Sequence, residues 1–530
     1  KLKKEMAEES PNVLYPVSDN VFIQIIRRKK GERTEYNIIE PVSGHEYSTL
    51  FQIVEELMAY RIGVQYEYKD IEGKKDVLLK LLDEVVKVDQ TIKDIHHYRI
   101  VGKNDNRVVY VSKDAKDSLK YVMVRDKVGI GPLEPMILDA YSEDISCDGI
   151  GPVFVEHKVF RSCVSNLKFE DHDELDEYTK RLAERVGKPV SYRSPIVDGT
   201  LPDGSRFNLV FGKDISRRGT NFTIRKFSKT PISITQLCLW NTISYLGAAY
   251  LWILLESGTS VWVSGETASG KTTTLNAICT FIKPDAKIVS VEDTPEVIVP
   301  HENWVREVTK ESEGGESRVD LYDLLKAALR QRPNYIIVGE IRGREGNVAF
   351  QAMQTGHPVL CTFHASSVQK LIQRLTGSPI EVPKTYIDNI GAIVIQSAVR
   401  LPKTGKVERR VLSINELVGY DPVDDRFNYI ELMSWDPSTD SYIFKGEGSS
   451  YLLESKIALS YGYTRKDVRK IYHHLQTRAE LLRILAEAGV TDYFELWDVI
   501  KTINDIGIET ALDLMRSGKL FKRAGPDAGP

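Results

Sequence analysis

Residues 261–277 read VWVSGETASGKTTTLNA, and this stretch decides the fold. An apolar run ends at Gly265, and small and hydroxyl residues lead from there to Lys271 and Thr272 in the spacing G-x-x-x-x-G-K-T. This is the spacing of a loop in which backbone N–H groups and a helix N-terminus converge on phosphate. A strand before the loop and a helix after it are predicted here, which is the context that the motif requires. A chance glycine turn, the alternative, lacks that context.

The loop predicts the contacts that a nucleotide makes. Lys271 is expected to reach the β- and γ-phosphates, and the Thr272 hydroxyl is expected to hold Mg²⁺. ATP and Mg²⁺ are therefore the predicted ligands. The predicted nucleotide-binding residues are Gly265, Glu266, Thr267, Ala268, Ser269, Gly270, Lys271, Thr272 and Thr273.

Length and composition limit the class of protein. The chain has 530 residues, which is too long for one core and predicts about three or four domains. Its apolar and charged fractions, 42% and 28%, are those of a globular protein. The net charge of −4 gives no general attraction to nucleic acid, so none is expected as a partner.

Five scattered cysteines without a CxxC pair argue against a zinc site and against a disulfide framework. They are typical of a reducing compartment. The longest apolar stretch, residues 243–255, is too short to span a bilayer and predicts a buried helix.

Patterning predicts four regions. Residues 1–110 mix β-prone and amphipathic helical stretches and predict an α+β module that docks a partner. Residues 111–230 predict strands joined by turns, with Asp203-Gly204 as one turn. Residues 231–420 alternate helices with strands, which indicates a parallel sheet covered by helices. Residues 421–530 predict a hairpin, then helices, then a disordered tail.

Two acidic stretches follow predicted strands near the loop. In VSVEDTPEV, a strand ends at Glu292 and Asp293, and adjacent carboxylates at a strand end are able to hold a metal-bound water or polarise the attacking water; an acidic turn is the alternative. In YIIVGEIRG, the strand delivers Glu340, while Gly339 stands where most such sites carry an aspartate. Arg342 is expected to pair either with phosphate or with an acidic neighbour.

The third such stretch, QTGHPVLCTFHASS, carries two histidines, His357 and His364. They are expected to face one site across a strand and to hydrogen-bond the γ-phosphate or a catalytic glutamate. Core histidines without a function are the alternative.

The stretches GETASGKTTTLNA, VEDTPE, LLKAALRQRPNYIIVGEIRGRE and QTGHPVLCTFHASS occur in an order that resembles the type II/type IV secretion ATPases. In that family they are the Walker A, Asp, Walker B and His boxes, and a Walker B written GE is usual. Further stretches, among them RLTGSPIEVPKTYID and SWDPSTDSY, resemble its archaeal branch, most of all the archaellum motor ATPases. The four-cysteine zinc module of bacterial members is missing, which also fits that branch.

The resemblance implies an α/β fold: a RecA-like P-loop ATPase core after a PAS-like α+β domain, with a further N-terminal module and a mostly helical C-terminal region. It implies a cytoplasmic homohexamer at the inner face of the membrane, docked on a polytopic platform protein and filament components. ATP would lie between the second N-terminal domain and the core. Arg206 and Arg225 would supply charge to the phosphates.

The expected catalytic residues are thus Lys271, Glu340, Glu292, Arg206, Arg225, His357 and His364, with Thr272, Glu340 and Glu292 for Mg²⁺. Either Glu292 or Glu340 positions the attacking water, and the histidines sense the γ-phosphate. A pilus-assembly or secretion ATPase, a DNA-translocating conjugation ATPase and a nucleotide-gated structural ring remain alternatives to an archaellum motor.

Overall fold

The computed structural model describes residues 11–27, 32–41, 45–61, 71–102, 106–227, 230–310 and 319–518. The chain divides into two compact units, Lys1–Phe227 and Ser228–Pro530. The tail that we predict to be disordered, KRAGPDAGP at residues 522–530, lies outside the described residues.

A nine-stranded sheet is the larger of the two sheets in the first unit, with the order β1-β2-β3-β9-β8-β7-β12-β11-β10. Its neighbours pair antiparallel except β3 and β9, which run parallel. The strands are β1 Asn12–Ser18, β2 Val21–Ile26, β3 Thr34–Ile39, β7 Ser142–Cys147, β8 Gly151–His157, β9 Arg161–Phe169, β10 Ile196–Thr200, β11 Arg206–Val210 and β12 Asn221–Arg225. Buried and accessible residues alternate along β8, β11 and β12, as in a sheet with one covered face.

The sheet of the first unit does not divide at residue 110, where we predict a domain boundary. Thr34 of β3 lies opposite Cys163 of β9, so β1–β3 belong to the same sheet as residues 142–225. The hydroxyls of Tyr15 and Tyr36 both donate to Asp139 at 2.8 Å and tie β1 and β3 to this part of the chain. Local patterning identifies these strands but not their pairing partner.

A smaller layer with its own core completes the first unit. It contains the sheet β4-β6-β5, made of β4 Val86–Val88, β5 Tyr98–Val101 and β6 Val108–Val111. Its helices are α1 His45–Arg61, α2 Ile71–Val85 and α3 Lys113–Lys127. Two further helices, α4 Glu134–Leu138 and α5 His172–Arg185, contribute buried residues to the core of the large sheet.

The second unit is built on another nine-stranded sheet, in the order β15-β14-β16-β17-β13-β18-β19-β20-β21. Its first six strands in this order pair parallel, as the alternation of helices and strands predicts. They are β13 Val261–Gly265, β14 Ile288–Glu292, β15 Trp304–Val308, β16 Tyr335–Ile341, β17 Val359–Phe363 and β18 Ala392–Arg400. The antiparallel strands β19 Val407–Asp421, β20 Arg426–Asp436 and β21 Ser441–Phe444 extend the sheet past the predicted boundary at residue 420.

Helices cover both faces of the parallel part of this sheet. Val261 and Val263 of β13 belong to one apolar core and Trp262 to another, so both faces of the strand are buried. The helices are α6 Ile234–Leu239, α7 Tyr245–Glu256, α8 Lys271–Cys279, α9 Leu321–Arg330, α10 Glu345–Gln354, α11 Val368–Thr376, α12 Ala458–Ser460, α13 Ile471–Glu487, α14 Tyr493–Ile506 and α15 Ile508–Arg516. The apolar stretch predicted as a buried helix is α7. Among the described helices, none combines the length and the apolar character that crossing a membrane needs.

Candidate functional site

The phosphate loop, residues 266–270, connects the carboxyl end of β13 to α8. Every residue of β13 is buried, which fixes the point where the loop starts. Ala268 (φ 59°) and Gly270 (φ 93°) both adopt left-handed backbone, and Gly270 is the N-cap of α8. Left-handed residues of this kind create concave turns in which successive N–H groups bind anions. The local backbone is therefore suited to phosphate.

The two glycines of the motif are required by space. A Cβ at Gly265 would lie 2.1 Å from the main-chain oxygen of Gln396. A Cβ at Gly270 would lie 3.0 Å from Nε2 of Gln396 and 3.1 Å from Cδ of Arg409. The loop is thus packed closely against β18 and β19, and a larger residue at Gly265 would displace backbone.

Lys271 spans the loop from the first turn of α8. Its Nζ donates to the main-chain oxygens of Gly265 at 3.1 Å and Glu266 at 3.0 Å. Burial lowers the pKa of Lys271, and the nearby carboxylate of Glu340 opposes that shift. The Ser269 hydroxyl is buried and finds no hydrogen-bond partner among the described residues. A lysine and a buried hydroxyl at this turn fit a phosphate-bearing ligand.

The other loop residues in our prediction differ in exposure. Glu266, Thr267 and Ala268 are exposed, whereas Thr272 and Thr273 are half-buried in the first turn of α8. Against the lowering by burial, the carboxylate of Glu340 raises the pKa of Lys271, the residue next to Thr272, so this end of the sheet offers a hydroxyl and a carboxylate as oxygen donors. Such oxygen donors are the ligands that Mg²⁺ prefers, so the residues present fit this ion.

Glu292 lies at the end of β14 and is 1% exposed. Its Oε1 accepts hydrogen bonds from the N–H groups of Glu296 at 2.8 Å and Val297 at 2.7 Å. Nε of Arg306 lies 3.5 Å from its Oε2. Burial raises the pKa of Glu292 to about 7, while the hydrogen bonds and Arg306 oppose the shift. The carboxyl group closes the turn after β14 and titrates near neutrality.

Gly339 is explained by its distance from Glu292. A Cβ at Gly339 would lie 3.1 Å from Cγ of Glu292, so an aspartate in its place would crowd that side chain. The next residue, Glu340, accepts a hydrogen bond from Arg342 at 2.5 Å. Arg342 therefore pairs with an acidic neighbour, which is one of the two alternatives that we predict for it.

The two histidines do not share a site within this chain, contrary to our expectation. His357 precedes β17 and His364 follows it, so the strand holds them at opposite ends of the sheet, about 20 Å apart at strand spacing. Phe363 lies opposite Ser264 and Ile341, so His364 is at the end of the sheet that carries the phosphate loop. His357 lies at the other end, where the hydroxyl of Thr355 contacts its Nδ1 at 3.1 Å.

Arg206 and Arg225 lie in the first unit and are cross-strand neighbours. Arg206 of β11 is directly opposite Arg225 of β12, which is opposite Asp144 of β7. Arg225 is exposed and Arg206 is half-buried. Burial raises the pKa of Asp144, and Arg225 partly counteracts this. Two guanidinium groups thus sit together on the open face of the sheet, and their part in catalysis stays a prediction.

Motif analysis misses two residues near the phosphate loop, Gln396 and Arg409, and one at the turn after β16, Glu345. Gln396 accepts a hydrogen bond from the hydroxyl of Thr274 at 2.7 Å, and Nε of Arg409 donates to the main-chain oxygen of Ala268 at 3.1 Å. Glu345 accepts from the N–H groups of Arg342 and Gly343 and closes the turn after β16. Gln396 and Arg409 follow the phosphate loop by more than 120 positions, so no local pattern connects them with it.

A family model described as Type II/IV secretion system protein matches residues 126–433. The uncharacterized protein MJ0900 of Methanocaldococcus jannaschii is 45% identical over 514 residues, which cover 96% of this chain and 92% of that protein. The conjugal transfer protein TrbB of Rhizobium radiobacter is 31% identical over 43% of this chain and 69% of that protein. The crystal structure of the pilus retraction motor PilT with bound ADP has a TM-score of 0.37 and 20% identity, over 53% of this chain and 80% of that chain.

The matched region covers more than half of the chain. It contains the phosphate loop, the two acidic strand ends and the two histidines, together with the sheet residues Arg206 and Arg225. The chain belongs to the type II/IV secretion system family and is one of its P-loop ATPases.

Proposed function

We propose that this ATPase powers the assembly or rotation of an archaeal surface filament, the archaellum, through a membrane platform protein. The observation that carries the proposal is the likeness to an archaeal protein over 96% of the chain, in both units. The archaellum-like stretches at residues 374–388 and 434–442 support the same branch. The acting form in this proposal is a homohexamer on the cytoplasmic side of the cell membrane.

The phosphates of ATP are assigned to the loop and to Lys271. Lys271 would exchange its contacts with the oxygens of Gly265 and Glu266 for the β- and γ-phosphates. The Ser269 hydroxyl, which has no partner among the described residues, would donate to the same ligand. Arg206 and Arg225 would neutralise charge that develops on the transferring phosphoryl group.

Thr272 and Glu340 are the residues that would hold Mg²⁺, an ion that neutralises phosphate charge when it is bound. Glu292 fits a role other than binding Mg²⁺, because one oxygen of its carboxyl group already accepts hydrogen bonds from two backbone N–H groups. A carboxyl group with a pKa near 7 suits a general base at neutral pH, so Glu292 would orient and deprotonate the attacking water. His364, at the loop end of the sheet, is the better placed of the two histidines to sense the γ-phosphate.

A chromosomal Lys271→Ala substitution in the native organism tests which filament this ATPase powers. We expect cells that make the protein at its normal level but lack swimming filaments, while adhesive pili remain. Lys283→Ala, at an exposed lysine after α8, is the matched control and should leave both intact. Loss of pili or of secretion with normal swimming would overturn the archaellum assignment in favour of a pilus-assembly or secretion ATPase.

A second candidate function is DNA transfer, which the 31% identity to a conjugal transfer protein favours. The net charge of −4 offers no general attraction to nucleic acid. A translocase should hydrolyse ATP faster with DNA, and the stimulation should weaken steeply as salt rises. Turnover that is independent of DNA at low salt would exclude this candidate.

A further inference from the structure

The backbone of the phosphate loop is held from outside at Ala268. This residue has a left-handed φ of 59°, a conformation that residues other than glycine adopt at a cost. Its main-chain oxygen accepts a hydrogen bond from Nε of Arg409 at 3.1 Å. The contact is with the main chain, so it fixes the direction of the peptide group and not of a side chain.

The Arg409 side chain makes no hydrogen bond or ion pair elsewhere in the described part of the chain. Its side chain is exposed, and the bond to Ala268 is its one hydrogen bond or ion pair to the described residues. The next residue, Arg410, points to the other face of β19, where it is buried and pairs with Asp440 at 2.8 Å. The alternation along the strand thus places one arginine in the core and the other beside the phosphate loop.

The other side-chain hydrogen bonds to main-chain oxygens of this turn come from Lys271, which donates to Gly265 and Glu266. Within the turn, the N–H of Ser269 also donates to the oxygen of Glu266, at 3.4 Å. A lysine that turns to phosphate releases these two oxygens. Arg409 approaches the loop from β19 and is able to keep its bond to Ala268 when Lys271 moves. Gln396 adds support from β18, because its side chain binds Thr274 on α8.

We propose that Arg409 is a positioning residue of the nucleotide site, which holds the peptide group of Ala268 so that the loop keeps its phosphate-binding form. This inference rests on the proposed ATP site. A loop that is formed before the ligand arrives loses less conformational freedom on binding, so the bond should strengthen the binding of any nucleotide with a β-phosphate. It should affect the chemical step little.

The test compares Arg409→Met, Arg409→Lys and the control Arg426→Met, at an exposed arginine of β20. Methionine is unbranched and reaches about as far as Nε without a donor, whereas lysine keeps a donor. We expect Arg409→Met to weaken ATP and ADP binding equally, by about 5- to 20-fold, and to raise KM with kcat within about twofold. Arg409→Lys should recover most of the affinity, and Arg426→Met should match the wild type.

Fluorescent ATP and ADP analogues and steady-state phosphate release measure these quantities, and circular dichroism confirms the fold of each variant. Unchanged affinities in Arg409→Met would overturn the inference. A loss confined to ATP with a fall in kcat would also overturn it, since Arg409 would then contact the γ-phosphate. Wild-type binding that survives Lys271→Ala would refute the proposed site itself, which is a separate outcome.

Discussion

The two large sheets of this protein present polar groups in different ways. In the second unit, β13, β14 and β17 are buried at every residue, so their polar groups become available only where the strands end. In the first unit, β11 and β12 alternate between buried and accessible residues, so Arg206 and Arg225 stand on an open face. A strand covered on both faces presents polar side chains to a ligand only at its end, whereas a strand with one open face presents them along its length.

The largest effect is expected at a strand end of the second unit. Lys271→Ala removes the cation that spans the loop and should reduce ATP hydrolysis below detection, since no other described lysine contacts the loop carbonyls. Phosphate release measures turnover, and the exposed Lys283→Ala is the control. The variant should remain folded, because the Lys271 side chain hydrogen-bonds, among the described residues, only to the main-chain oxygens of Gly265 and Glu266. Measurable turnover in a folded Lys271→Ala protein would place the chemistry elsewhere.

An arginine on the open face of the first unit should matter for rate but not for binding. Arg225→Ala should leave nucleotide affinity unchanged and reduce kcat by roughly 100-fold, within the range of a charge that acts on the transition state. Thr223→Ala removes another accessible side chain of β12 and is the control. Equal kcat values for wild type and Arg225→Ala, at saturating ATP, would remove the open face from the catalytic site.

Two glycines of the second sheet compare tight packing at a strand end with open space along a strand. They are Gly265, at the end of β13, and Gly419, on β19. Gly265→Ala places a Cβ 2.1 Å from a main-chain oxygen, which should lower the free energy of unfolding by about 2–3 kcal/mol and impair nucleotide binding. Gly419→Ala, on β19, meets no atom within 4 Å and should change stability by less than about 0.5 kcal/mol. Chemical denaturation, followed through the transition that ADP shifts, measures both. Equal stabilities would show that the loop is not packed as tightly as the structure indicates.

Much of the second unit could be predicted because its signals are local. The stretch LYDLLKAALR is α9 from first residue to last, and the apolar runs before the acidic residues are β14 and β16. Non-local features could not be predicted. The pairing of β3 with β9 and the approach of Arg409 to Ala268 join residues more than 120 positions apart. The two histidines were placed in one site because a sequence shows their spacing but not the direction in which the strand separates them.

Two buried groups, His157 in the first unit and Glu292 in the second, should respond to pH in opposite directions. In the first unit, burial lowers the pKa of His157 to about 4, with Asp139 opposing. Its Nδ1 accepts hydrogen bonds from the N–H groups of Val159 and Phe160, so a proton there would remove the acceptor. In the second unit, the pKa of Glu292 lies near 7, above its ordinary value, and this group costs stability as pH rises from about 4.5 to 7.

For His157 the change of stability with pH has the opposite sign to that for Glu292, and the substitution His157→Asn tests this expectation. Between pH 4 and 6.5, His157 is protonated in the unfolded chain but not in the folded chain. Its contribution to stability is therefore complete above pH 6.5 and is lost as the pH falls towards 4. At pH 5 the wild type should have lost about 1–2 kcal/mol relative to pH 7.5 through this group. Asparagine keeps an acceptor but cannot be protonated, so thermal unfolding of His157→Asn should show a smaller loss, while His96→Asn, at an exposed histidine of the same unit, should behave like the wild type. The same loss in all three proteins would mean that acid acts on the first unit through other groups, and the contrast with Glu292 would no longer hold.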